Sequence, residues 1–312
     1  MSFRPKTKPN AIVTCCTANW LHLAACTLKS CWDQGGGDLA DFYIVALGIS
    51  DKDRAEFQTF LSRHKFSATI IDGILPEELL DRAPKRFSAA AYLRLVMDKV
   101  LDPEYHRVLY LDSDILALGP IQEVLDYDLD GKLLGAVEDY QSFPTRSGGH
   151  ALHPQSIGLP AGSRYFNSGV LLFDWPQTLA RNKIRECLDR ILALTLSKKK
   201  MSFPDQDVMN LVFAGEWQRM PTRFNLISIV SDYFPEKPVF RHFTRDHKPW
   251  HKVVGIGYSD FYLQYFSMLQ GTPWVSQIET RFPSIAPIIT LGNYLRQRDK
   301  KTRLRYQNYL ES

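Results

Sequence analysis

The stretch Arg107-Val108-Leu109-Tyr110-Leu111-Asp112-Ser113-Asp114 decides how the chain is read. An apolar run leads directly into two aspartates two positions apart. The run predicts a buried strand, since short apolar runs are what a strand covered on both faces requires. If extended geometry persists, the two aspartates share one face, about 6.6 Å apart along the chain. At ~4 Å and an effective dielectric near 20, two such charges repel by roughly 4 kcal/mol. A divalent cation with oxygen ligands relieves that repulsion. So does a turn that the pair caps, or a neighbouring Arg or Lys. The position at a strand end favours the metal.

Working outward, similar runs occur at Ala11–Cys16, Phe42–Leu47, Ser67–Ile71, Leu133–Val137 and Gly169–Phe173, each of the kind a buried parallel strand shows. Between them lie helical patterns at Trp20–Asp33, Asp51–His64, Ala89–Val100 and Pro176–Leu196. The alternation predicts an α/β sheet with helices on both faces, and ligands at the carboxyl ends of its strands. After about residue 215 the pattern loosens into aromatics, prolines and histidines, followed by an amphipathic aromatic stretch at Phe261–Leu269.

Composition bounds the function. The chain has 312 residues, 38 Lys and Arg against 34 Asp and Glu, and 45% hydrophobic residues. This excludes disorder, a collagen-like chain and a polytopic membrane protein, and does not imply a nucleic-acid surface. The five cysteines, Cys15, Cys16, Cys26, Cys31 and Cys187, contain no C-x-x-C pair and read as buried small hydrophobes in a reducing compartment. Arg4, Lys6 and Lys8 ahead of the run Ala11–Leu28 imitate a secretion signal. Thr14, Thr17, Asn19, Trp20 and His22 interrupt it, so it reads as a strand, a loop and a helix. No transmembrane helix is expected.

An acidic pair after a strand serves two enzyme classes: haloacid-dehalogenase-type phosphohydrolases and A-type nucleotide-sugar glycosyltransferases. The pair lies a third of the way into the chain and no Gly-Asp acidic motif follows, which favours the second. Five blocks then match in order. They are Ala91-Tyr92-Leu93-Arg94-Leu95, Val108–Leu116 around the aspartates, Tyr165-Phe166-Asn167-Ser168-Gly169-Val170-Leu171-Leu172, Pro204-Asp205-Gln206-Asp207, and Arg241-His242-Phe243 with His247-Lys248-Pro249-Trp250-His251. On these blocks the chain resembles glycosyltransferase family 8, retaining enzymes that include bacterial lipopolysaccharide galactosyl- and glucosyltransferases and glycogenin.

The resemblance implies a single A-type, Rossmann-like α/β domain with a mixed central sheet over residues 1–260, and a basic helical extension over 261–312. It implies that Asp112, Asp114 and His242 hold Mn²⁺, with Mg²⁺ as the alternative, and that Lys248 meets the diphosphate of a UDP-sugar. Arg94 would contact the donor; read without the family it is a helix-face ion pair with Asp98. Cys15, Thr17, Asn19, Trp20 and Ser113 would line the nucleotide, with Trp20 stacking on the base. Asn167, Asp205, Gln206 and Asp139 would surround the transferred sugar, with Glu138 the register rival of Asp139. Thr17 replaces the acidic residue that bacterial members often use to read uracil. Arg245 stands where a glycine is usual.

The expected activity is retaining transfer of galactose or glucose from a UDP-sugar to a saccharide or glycolipid hydroxyl, in lipopolysaccharide or another envelope glycan. The rivals are a metal-dependent phosphohydrolase and a non-catalytic glycan- or partner-binding member. Arg296, Arg298, Lys300, Lys301, Arg303 and Arg305, interleaved with Tyr294, Tyr306 and Tyr309, suit an anionic membrane surface. The expected location is therefore cytoplasmic and peripheral on the inner face of the membrane, with no nucleic-acid partner.

Overall fold

The computed structural model describes residues 6–81, 89–139, 153–197, 203–227, 237–244, 248–250 and 259–278. The strands are β1 (Asn10–Thr17), β2 (Ala40–Leu47), β3 (Thr69–Asp72), β4 (Arg107–Leu111), β5 (Ile115–Ala117), β6 (Leu134–Glu138), β7 (Phe166–Asp174), β8 (Trp217–Arg219), β9 (Leu226–Ile227) and β10 (Phe240–His242). Seven of them form one sheet in the order β3-β2-β1-β4-β7-β6-β8. β1 runs parallel to β2 and β4, and β2 parallel to β3.

The expected strands are all present, but β7 runs antiparallel to both β4 and β6. The sheet is therefore mixed, as the family resemblance implies. Its apolar runs do not reveal this, because a strand buried on both faces looks the same in either direction. Alternation sorts the side chains between two core clusters. Ile12, Leu109, Leu111, Val170 and Leu172 enter one face. Val13, Val108, Tyr110, Leu171 and Phe173 enter the other.

The helices Leu21–Asp33 and Asp51–His64 cover the first face. The run Ala11–Leu28 thus forms the central strand and its crossover helix, as the interruptions in it suggested. Ala89–Lys99 and Lys183–Ser197 cover the second face. Ala89–Lys99 is a 3₁₀ rather than an α-helix, unusually long for that tighter winding. The single helix expected over Pro176–Leu196 is two, Trp175–Ala180 and Lys183–Ser197, separated at Asn182, which takes a positive φ of 53°. All five cysteines are buried and free.

β5, β10 and β9 form a second, three-stranded sheet that the sequence does not signal. Strands of two or three residues carry no readable periodicity. The described part of the expected extension, residues 261–278, packs into the main core. Tyr265, Leu269, Trp274 and Ile278 join the first-face cluster, and Trp274 Nε1 donates to Glu56 Oε2 at 2.8 Å. The aromatic residues Phe261 and Tyr265 of that helix pack on Phe243 and Trp250, while Trp274 beyond it meets Phe60 and Glu56 of Asp51–His64. The basic tail, Leu291–Ser312, lies outside the described residues. Among the described residues no helix is long and apolar enough to cross a membrane.

Candidate functional site

The two sheets meet at the aspartate pair. β4 ends at Leu111, and the backbone N–H of Asp112 donates to Gly169 O on β7 at 2.8 Å. The chain then turns rather than continuing extended, and Ile115 opens β5. Asp112 thus belongs to the end of the large sheet and Asp114 to the start of the small one. Thr27 Oγ1 holds the turn by donating to Ser113 O at 3.1 Å and Ile115 O at 2.8 Å. His242, the last residue of β10, pairs in register with Ile115, which sets its ring against the turn.

The result is one group of possible metal ligands, Asp112, Asp114 and His242, whose ligand atoms all lie within 4.8 Å of one another. His242 Nε2 is 3.1 Å from Asp114 Oδ1 and 3.7 Å from Asp112 Oδ2. The ring fits because residue 169 is glycine. A Cβ there would lie 2.3 Å from His242 Cε1.

The carboxylate repulsion is met by cations as well. Buried Arg94 donates through Nη2 to Asp112 Oδ1 at 2.8 Å and lies 3.4 Å from Asp205 Oδ2. Its Nη1 donates to Ser168 O at 2.7 Å, and its guanidinium stacks 4.5 Å from the centre of the Tyr110 ring. Arg94 therefore pairs across the site and not with Asp98. Tyr110 O–H also donates to Asp112 Oδ1, at 2.7 Å. Two donors on Oδ1 leave Oδ2 directed at His242.

Lys248 Nζ donates to Asp114 Oδ2 at 2.7 Å and to the carbonyl of Phe243. Burial alone would raise the Asp114 pKa, but Lys248 and His242 hold it well below the usual carboxylate range. Burial raises Asp205 despite the opposing charge of Arg94.

Next to this group lies a net of amides. Asn167 Nδ2 donates to Asp139 Oδ2 at 2.8 Å. Gln206 Nε2 donates to Tyr165 Oη at 3.1 Å and Asp139 Oδ2 at 3.4 Å, while its Oε1 accepts from Ser168 N at 3.0 Å and Ser168 Oγ at 3.3 Å. Asp139 is the carboxylate that joins the net. Glu138 pairs instead with Arg219 at 3.3 Å and Arg164 at 3.5 Å.

At the end of β1, Cys15 is buried beside Arg94, Thr17 is half-buried and Asn19 is exposed. Half-buried Trp20 meets the edge of Trp250, ring centres 6.1 Å apart. That contact brings the β1 end beside the segment carrying Lys248. Arg245, His247 and His251 lie outside the described residues.

Tyr110, Ser168 and Asn225 are site residues that sequence reasoning missed. Tyr110 was within reach, because i and i+2 on a strand share a face. Asn225 follows the short turn Thr222–Phe224 and precedes β9, and nothing in the sequence marks it.

The chain is 26% identical to a lipopolysaccharide 1,2-glucosyltransferase of Escherichia coli (strain K12) over 249 residues, 75% of this chain and 70% of that one. It is 25% identical to the lipopolysaccharide 1,3-galactosyltransferase of Salmonella typhimurium over 245 residues, 75% of this chain and 69% of that one. The solved structure of the galactosyltransferase LgtC with donor and acceptor sugar analogues superposes with a TM-score of 0.70 at 23% identity, covering 86% of this chain and 99% of that one. That likeness shows the fold, an A-type glycosyltransferase domain with a mixed central sheet. The model of glycosyl transferase family 8 matches residues 11–253. The chain belongs to glycosyl transferase family 8.

Proposed function

We propose that the chain transfers glucose or galactose, with retention, from a UDP-sugar to a saccharide hydroxyl in the synthesis of lipopolysaccharide or another envelope glycan. The observation that carries this is the convergence of Asp112, Asp114 and His242 at the carboxyl end of β4, with Lys248 on the far side of Asp114. Two carboxylates and an imidazole suit Mn²⁺, with Mg²⁺ as the second choice. The same three side chains would hold the ion. When bound, it neutralises charge on the diphosphate leaving group.

The remaining roles follow from position. Lys248 supplies a point charge to the diphosphate. Trp20 offers a ring face to the base, with Cys15, Thr17, Asn19 and Ser113 around the nucleotide. Arg94 fixes Asp112 and Asp205 with one guanidinium. Asp139, Asn167, Asp205 and Gln206 bind the hydroxyls of the transferred sugar.

Retention by double displacement needs a free carboxylate nucleophile at the anomeric carbon. Gln206 supports the other route, because its amide oxygen already accepts two hydrogen bonds from Ser168. In front-face transfer the bond from the anomeric carbon to the diphosphate oxygen breaks. The acceptor oxygen bonds on the same face, and its proton passes to the departing diphosphate. The likeness to lipopolysaccharide enzymes supports an envelope-glycan acceptor, and the basic tail suits an enzyme working at an anionic membrane surface.

A thermal-shift panel of nucleotide sugars with and without Mn²⁺ tests the reading. Specific binding raises apparent stability by mass action, by about 2.7 kcal/mol at a hundred times Kd. A shift with UDP-glucose or UDP-galactose that requires Mn²⁺ is the expected result. No metal-dependent shift with any nucleotide sugar contradicts it.

A further inference from the structure

The small sheet places Asn225, 1% exposed, between His242 and Asn167. Asn225 Oδ1 lies 3.0 Å from His242 Nδ1, and Asn225 Nδ2 lies 2.8 Å from Asn167 Oδ1. Amide and imidazole polarity in such a chain is decided by its fixed end. Here two contacts fix that end.

The backbone N–H of Gly169 donates to Asn167 Oδ1 at 3.0 Å, so this atom is an oxygen. Asn167 Nδ2 faces Asp139 Oδ2, and a carboxylate only accepts. Both contacts give the same orientation. Asn225 must then present its NH₂ to Asn167, which leaves its carbonyl oxygen facing His242. An oxygen acceptor at Nδ1 requires the hydrogen there, so when the ring is neutral, as a metal ligand must be, the lone pair is at Nε2, on the side of the two aspartates.

We infer that Asn225 is a positioning residue, which relays the fixed polarity of Asn167 to His242 and holds the imidazole in the Nδ1–H tautomer that its role as a ligand needs. The inference deepens the reading of Asp112, Asp114 and His242 as a metal site and rests on it. Partners that orient a ligating imidazole change metal affinity by about 10–100-fold when removed. Asn225 sets the tautomer and the ring plane through its contacts with Asn167 and His242.

Two measurements test this. The first uses the unaltered, metal-free protein labelled with ¹⁵N-histidine, at a pH where the ring is neutral. His242→Gln serves to assign the signal among the eight histidines. An Nδ1–H pattern for His242 is expected, and an Nε2–H pattern overturns the relay.

The second is Mn²⁺ binding followed by the paramagnetic resonance of the free ion, for wild type, Asn225→Leu, Asn225→Asp and His242→Ala. Asn225→Leu keeps the shape but loses both hydrogen bonds, and should weaken Mn²⁺ binding about 10–100-fold. Asn225→Asp still accepts from Nδ1–H but sets a carboxylate oxygen against Asn167 Oδ1, so it should recover only part of that loss. Wild-type affinity in Asn225→Leu beside a loss in His242→Ala overturns the relay and leaves the metal site standing. Wild-type affinity in both overturns the metal reading and the relay with it. If Asn225→Leu does not fold, the NMR measurement decides alone.

Discussion

The large sheet and the small sheet meet at Asp112-Ser113-Asp114 and owe their order to different causes. The large sheet has strands of up to nine residues, buried on both faces by its own helices. It delivers Asp112, Tyr110, Asn167 and Gly169 from a scaffold that close packing makes stiff. The small sheet has strands of two and three residues. Ile115, Leu116, Ala117 and Phe240 seat it in the first-face core, and Thr27 donating to Ser113 O and Ile115 O, with the Asn167–Asn225–His242 side-chain contacts, ties it to the large sheet and its helix. One half of the site therefore stands on long strands within the core, and the other on short strands that share one face of that core and are tied to the first by side-chain hydrogen bonds. Substitutions at the junction should affect metal and donor binding more than folding. Substitutions within the large sheet's layers should do the reverse.

The largest expected effect is at the junction itself. Asp114→Asn removes a charge that Lys248 and His242 both face, and should lower the rate of UDP release in Mn²⁺ by roughly 10²–10³-fold, as loss of a preorganised electrostatic group does. The lost pairing with Lys248 and His242 should also lower the urea midpoint, by less than the loss of activity. A variant with near-normal turnover would remove Asp114 from the site.

The second effect separates the layers by pH. Burial pushes the His22 pKa down to about 4 from 6.5, and its Nδ1 has no hydrogen-bond partner among the described residues. The unfolded chain therefore takes up a proton near pH 6.5 that the folded chain refuses until near pH 4. Stability present above pH 6.5 should fall through that window by roughly 3 kcal/mol. His22→Leu should flatten this part of a stability-against-pH curve. An unaltered slope in the variant assigns the acid sensitivity elsewhere.

The third crosses the boundary. Gly169→Ala adds a methyl group to β7 that meets His242 on β10. Overpacking of this kind destabilises by about 1–3 kcal/mol. Displacement of the ring should weaken Mn²⁺ binding at the same time. Loss of stability with undisturbed Mn²⁺ binding would show that the two sheets are less tightly coupled than the contacts imply. The smallest is Trp20→Ala. It should weaken UDP binding by about fivefold, near 1 kcal/mol, the scale of one aromatic contact. Unchanged UDP affinity would end the stacking assignment.

The same division explains what could be read without coordinates. The strand ending at Leu111, the crossover helices and the first four strands follow from apolar periodicity alone. Asp112 and Asp114 stood out locally, as an acidic pair at the end of an apolar strand, whereas Arg94 and Gln206 came with the family's blocks. His242 and Lys248 were reached only through the family resemblance, since nothing local distinguishes a histidine that ends a three-residue strand. Asn225 was not reached at all. Its role comes from β9 lying beside β10, a pairing made by long-range contacts and too short to leave a pattern. The reversal of β7 and the docking of Tyr265 and Trp274 into the main core were hidden for a related reason. Burial by itself carries no direction and no partner.

The proposed function requires the two sheets to share one metal ion. An anomalous difference map from crystals grown with Mn²⁺ and UDP, collected near the manganese edge, tests it most directly. The expected result is a single peak at the junction that Asp112, Asp114 and His242 would hold together. A peak that excludes His242, or none at the junction, would contradict it.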